Sequence, residues 1–151
     1  MNVPLPTYIT IHSTEGKDRP DAFDVEGLDA YMASQSTHYD KVCELKDKPW
    51  LYDMWPVTEI GAQARGWNGT STSLGRSIGY AFIGDGRVTV PTDAELLWVA
   101  RFVHADMKAW NISIDHVLMH KDMPGASTDC PGSAFAEQFH RFIEMINLVG
   151  A

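Results

Sequence analysis

The chain has 151 residues, 44% of them apolar and 21% charged, with a formal net charge of −8. That length predicts one domain over residues 1–151 with a substantial core, and the acidic balance argues against a nucleic-acid partner, whose phosphates are met by Lys and Arg. No apolar run is long enough to span a membrane, and Asn2-Val3-Pro4-Leu5-Pro6 has neither the basic start nor the apolar stretch of a secretory signal, so neither is expected.

Thr7-Tyr8-Ile9-Thr10-Ile11 is rich in β-branched and aromatic residues and predicts a buried strand ending at His12. After a charged loop through Pro20, Asp24 is placed to cap a short helix carrying Val25, Leu28, Tyr31 and Met32. Residues 38–45 and 50–55 predict two strands around the polar turn Lys46-Asp47-Lys48-Pro49, hence a hairpin. Residues 66–75 form a Gly/Ser/Thr/Asn loop, and 77–83 a further strand closed by Gly84-Asp85-Gly86.

Thr92 and Glu95 stand at capping-box spacing, and Leu96, Val99, Val103 and Met107 continue as an apolar stripe at helical spacing. Residues 112–119 predict one more strand, ending at His120. A last helix starts near Pro131, which a first helical turn tolerates, with Phe135, Phe139, Phe142 and Ile146 on one face. Strands alternating with helices predict an α/β fold: a central, mostly parallel or mixed sheet flanked by helices.

Six histidines are present. His104 and His140 lie inside predicted helices and read as ordinary surface or partly buried residues. His116 shares strand parity with His120, so both can face one way. His12 and His120 each stand where an apolar strand gives way to a polar loop, a common place for a site because a rigid sheet delivers side chains to an open edge. Cys130 follows His120 within a loop rich in Gly, Pro, Asp and Ser, whereas Cys43 lies in a strand-like run. Two cysteines are too few for a disulfide framework. Two imidazoles and one thiolate suit zinc, and three protein ligands leave a fourth position for water, as a catalytic site requires. The plainer reading is a Cys130 packed under the last helix and two histidines hydrogen-bonded at strand ends.

Ile9-Thr10-Ile11-His12-Ser13-Thr14-Glu15-Gly16 resembles the first zinc-ligand motif of the type 2 N-acetylmuramoyl-L-alanine amidases, a family that includes phage endolysins and peptidoglycan recognition proteins. Met119-His120-Lys121-Asp122-Met123-Pro124-Gly125 with Thr128-Asp129-Cys130-Pro131-Gly132 is similar to its second signature. Ser36-Thr37-His38-Tyr39, Trp67-Asn68 and Ser77-Ile78-Gly79-Tyr80 fall in the family's order between them. The resemblance implies zinc on His12, His120 and Cys130, and hydrolysis of the amide joining N-acetylmuramic acid to L-alanine in bacterial peptidoglycan. It also implies a substrate groove bordered by Trp67 and Asn68.

The chain departs from the family pattern where the second catalytic group is usual. Many members have lysine two positions before the cysteine; here it is Thr128, as in the catalytic recognition proteins, and its hydroxyl can donate to an oxyanion. Thr37 stands where many have a tyrosine, and Ala81 where some have a glutamate base. Tyr39 and Glu15 are the remaining candidates for proton transfer, while Asp122 is better placed to orient a loop or imidazole.

Three other readings compete. One is a non-catalytic peptidoglycan-binding module of the same fold. Another is a metal-free cysteine hydrolase with Cys130 as nucleophile. The third is a structural zinc site completed by His116 or Asp122. The resemblance favours an endolysin-like enzyme acting as a monomer, made in a host cytoplasm without a signal peptide and acting on the bacterial cell wall.

Overall fold

A computed structural model describes residues 5–13, 41–44, 50–53, 76–82, 84–88 and 90–150. Its strands are β1 (Pro6–Ser13), β2 (Lys41–Glu44), β3 (Trp50–Asp53), β4 (Arg76–Phe82) and β5 (Val117–Met119). They form one sheet in the order β3-β2-β4-β1-β5. β1 pairs in parallel with β4 and with β5, and β2 in parallel with β4; only β2 and β3 run antiparallel. The mixed α/β sheet expected from the sequence is present. The hairpin pairing is too, with Val42 opposite Tyr52 and Cys43 opposite Leu51. Its turn, the short helix expected after Asp24 and the loop 66–75 lie outside the described residues.

Two helices, α1 (Asp93–Trp110) and α2 (Ser133–Val149), cover one face of this sheet. α1 begins as its sequence predicts. Glu95 N–H donates to the Thr92 hydroxyl at 3.3 Å, and the Glu95 carboxylate accepts from Thr92 N–H at 2.8 Å, satisfying two end donors that the helix itself cannot. Alternation along the strands then sorts the faces. Ile9 and Ile11 of β1, Ile78, Tyr80 and Phe82 of β4, Cys43 of β2 and Val117 of β5 meet Leu96, Val99 and Val103 of α1 and Phe135, Phe142 and Ile146 of α2. Burying one such side chain contributes roughly 1.5–3 kcal/mol, so this face supplies much of the stability of the fold. Thr10 and His12 are thereby turned to the opposite face.

The strand expected over 112–119 is shorter. Ile114–His116 is a 3-10 turn, and only Val117–Met119 pairs with β1, at Ile9–Ile11. His116 accounts for the difference: its Nδ1 lies 2.9 Å from the Thr7 carbonyl oxygen and its ring stacks on Tyr8, with centroids 4.1 Å apart. These contacts hold His116 at the start of β1, whereas His120 lies beside His12 near its end. Both histidines lie in 3-10 turns rather than in the strand, and the residues they meet, Tyr8 and His12, share one face of β1. Cys43 and Cys130 are both buried and unbridged. Among the described residues, no helix is long and apolar enough to cross a membrane.

Candidate metal centre

Each of three elements brings one donor to the C-terminal end of β1. His12 is the penultimate residue of that strand. β5 stops at Met119, and His120 opens the 3-10 turn His120–Asp122. Cys130 stands just ahead of α2, three residues before its first helical position at Ser133. The two loops are tied by main chain: Lys121 N–H donates to the Cys130 carbonyl at 2.9 Å, directly after one donor residue and directly on the other. The Cys130 N–H donates to the Thr128 hydroxyl at 3.1 Å.

The result is a compact cluster. The His12 and His120 rings are 4.7 Å apart at 62°, and Cys130 Sγ is 3.8 Å from His12 Nδ1. Donor atoms of all three residues lie within 4.8 Å of one another, and no other such group of three exists among the described residues. A tetrahedral zinc with its usual bonds separates its donors by roughly 3.5 Å, so small side-chain adjustments suffice. His12 is 1% exposed and Cys130 6%. Burial holds the His12 imidazole well below its ordinary value of 6.5, and the neighbouring His120 pushes it the same way. Burial lowers His120 as well. Both rings are therefore neutral at pH 7, the form that binds a metal. Two neutral imidazoles and a thiol at this spacing fit zinc, and three protein donors leave the fourth tetrahedral position to another ligand.

Other residues singled out in the sequence fall as follows. Thr128 is exposed and adjoins the cluster through its bond to Cys130. Ala81 is the register partner of His12 across the parallel β1–β4 pair, buried on the same face. Asp122 is exposed, 3.8 Å from the Lys121 ammonium, and outside the three-donor group. His116, His104 and His140 are outside it too. Glu15, Thr37, Tyr39, Trp67 and Asn68 lie outside the described residues. The turn at Gly84–Val88 has a packing partner that the sequence does not announce: its Gly86 carbonyl accepts from Phe135 N–H at 2.9 Å beside the Cys130 loop. Its Gly-Asp-Gly marked a turn, but nothing local announced what it packs against.

A sequence model of the N-acetylmuramoyl-L-alanine amidases matches residues 2–133. The chain belongs to this type 2 amidase family. Solved structures carry the same fold. A mutant endolysin from Bacillus subtilis superposes with a TM-score of 0.70 at 23% identity, over 96% of this chain and 88% of that one. An endolysin N-acetylmuramoyl-L-alanine amidase from Clostridium intestinale gives 0.68 at 21%, over 97% and 91%. Bumblebee PGRP-SA gives 0.67 at 20%, over 91% and 81%. No curated protein matches the chain. Membership in the amidase family supports a role on peptidoglycan, as an amidase or as a binding module.

Proposed function

We propose that this chain is a zinc-dependent N-acetylmuramoyl-L-alanine amidase, a single catalytic domain that serves as a phage endolysin. The observation that carries this reading is the convergence of His12, His120 and Cys130, with donor atoms within 4.8 Å. Zinc held there supplies a Lewis acid for the scissile carbonyl and lowers the pKa of water enough for attack near neutral pH. The chain's own groups do the rest. His12 and His120, kept neutral by burial, hold their lone pairs ready without a prior proton loss. The Thr128 hydroxyl accepts from Cys130 N–H, so its own proton is directed away from that bond and can be donated to the oxygen that gains charge. Glu15 and Tyr39 are the proposed proton carriers, and Trp67 with Asn68 borders the groove for glycan and stem peptide. The protein acts as a monomer, is made in the host cytoplasm and reaches the wall after release.

One observation favours the second reading, a peptidoglycan-binding module without turnover: the methyl of Ala81 occupies the place beside His12 where some family members have a glutamate. The complete His-His-Cys donor set favours the enzyme. Digestion of purified peptidoglycan decides between them. The amidase reading predicts new N-terminal L-alanine, abolished by chelator and restored by zinc; binding to peptidoglycan with no new amine contradicts it.

A further inference from the structure

Cys130 reaches His12 on a loop outside the sheet, and the surrounding backbone indicates what holds it there. After β4 the chain passes through a turn at residues 84–88 before α1. This turn is braced internally. Val88 N–H donates to the Asp85 carbonyl at 3.1 Å. The Asp85 carboxylate accepts from the Arg87 backbone N–H at 3.0 Å and from two guanidinium nitrogens at 2.9 Å each. So braced, the turn lies on the segment following Cys130. Gly86 O accepts from Phe135 N–H at 2.9 Å, and Arg87 O accepts from the Ser133 hydroxyl at 3.5 Å.

The contact is main chain on main chain, with no space for a side chain. A Cβ on Gly86 would stand 1.9 Å from the Pro131 carbonyl oxygen; one on Gly132 would stand 2.3 Å from the Arg87 nitrogen and the Gly86 carbonyl carbon. Gly132 is also required by its φ of +114°, a conformation that side chains disfavour. Gly86 carries no such backbone demand, so only the close approach explains it. On the other side of the same loop, the Cys130 carbonyl is held by Lys121 N–H, one residue past His120. Cys130 is thus gripped between the His120 turn and the Gly86 turn. The latter follows the strand whose Ala81 is the register partner of His12.

We propose that Gly86 is a positioning residue for the metal centre: its backbone contact with Pro131 and Gly132 sets the Cys130 sulfur at its distance from His12. The inference rests on the metal-binding reading of His12, His120 and Cys130. Affinity depends on how well the donors are held before the ion arrives, and loss of a supporting contact around a metal site typically costs about 10–100-fold. A methyl at Gly86 must displace Pro131, the residue bonded to the donor, while the β-sheet register around His12 is left alone.

The test compares the native chain with Gly86→Ala and Asp85→Ala. Three quantities are measured: zinc affinity by competition with a chromophoric chelator, the thiolate charge-transfer band of the cobalt(II)-loaded protein, and urea unfolding of the metal-free protein. For Gly86→Ala, zinc binding weakens by about tenfold or more, the cobalt–thiolate band shifts or fades, and the metal-free protein still unfolds cooperatively. Asp85→Ala loosens the turn without adding an atom; it moves affinity and band in the same direction by a smaller factor, and it carries the test should Gly86→Ala fail to fold. Native affinity and a native cobalt band in the folded variants, with only stability reduced, would make Gly86 a packing residue and overturn the inference. Failure of the native chain to bind zinc overturns the metal reading and this inference together, so the two failures are distinct.

Discussion

His12 and Ala81 are register partners on the parallel strands β1 and β4, so the methyl of Ala81 lies beside the imidazole on one face of the sheet. The neighbouring pairs Ile9–Ile78 and Ile11–Tyr80 point to the other face, into the helices. A glutamate at Ala81 would have been well placed to move protons at the site. In the proposed mechanism that task falls to Glu15 or Tyr39, or to water on the zinc alone.

Glu15→Gln and Tyr39→Phe test the first alternative. At least one of them lowers kcat by about a hundredfold, the usual scale of general acid–base catalysis, while zinc content is retained. The check is steady-state release of L-alanine termini alongside metal analysis. Two variants with native rates would remove both residues from the mechanism.

Thr128→Val removes the acceptor of the Cys130 N–H and the proposed oxyanion donor together. We expect stability to fall by about 0.5–1.5 kcal/mol and kcat to fall by about a hundredfold or more, with zinc still bound. Thr128→Ser keeps a hydroxyl and recovers most of the rate. A Val variant with native kcat would leave Thr128 as a loop brace only.

The buried histidines give the metal-free protein a defined pH response. Folding depresses the His12 and His120 pKa values below 6.5. Between each depressed value and 6.5, the unfolded chain binds the proton more readily. Stability therefore rises with pH through that window, is fully present above it, and is lost as pH falls. Urea midpoints measured in chelator from pH 7.5 downward show this decline, and His12→Asn flattens it. A midpoint independent of pH below 6.5 would contradict the buried, neutral placement.

Tyr80 tests whether the two faces of the sheet are separable. Its hydroxyl donates to Asp106 of α1 at 2.5 Å, on the side away from His12. Tyr80→Phe costs about 1–3 kcal/mol of stability, because a partly buried carboxylate loses a donor. Zinc affinity and kcat stay native. A variant impaired in metal binding would mean that the helix-side core and the site are coupled.

Much of this molecule was legible one segment at a time. Thr92 and Glu95 cap α1 as their spacing requires, because a capping box is satisfied within four residues. The apolar stripes of α1 and α2 report their buried faces for the same local reason, with Met107 and Phe139 only partly covered at the margin. His12, His120 and Cys130 were readable through family motifs, and the fold brings them together. The segment 112–119 misled because its apolar residues fit a strand, while the contacts bending it come from Thr7 and Tyr8, more than a hundred positions away. The approach of Gly86 to Pro131 is equally non-local: a Gly-Asp-Gly turn announces a bend, not its neighbour. The sheet order, with β1 between β4 and β5, carries no signature in any single strand.

Whether this chain is a zinc amidase is decided by measuring zinc content and release of N-terminal L-alanine from peptidoglycan together, on the native chain and on Cys130→Ser. One zinc per native chain is expected with new L-alanine termini, and loss of both in Cys130→Ser while the protein remains folded. Zinc bound without release of L-alanine would contradict the enzyme and leave a binding module. Activity in metal-free native protein, abolished by Cys130→Ser, would contradict the metal centre itself.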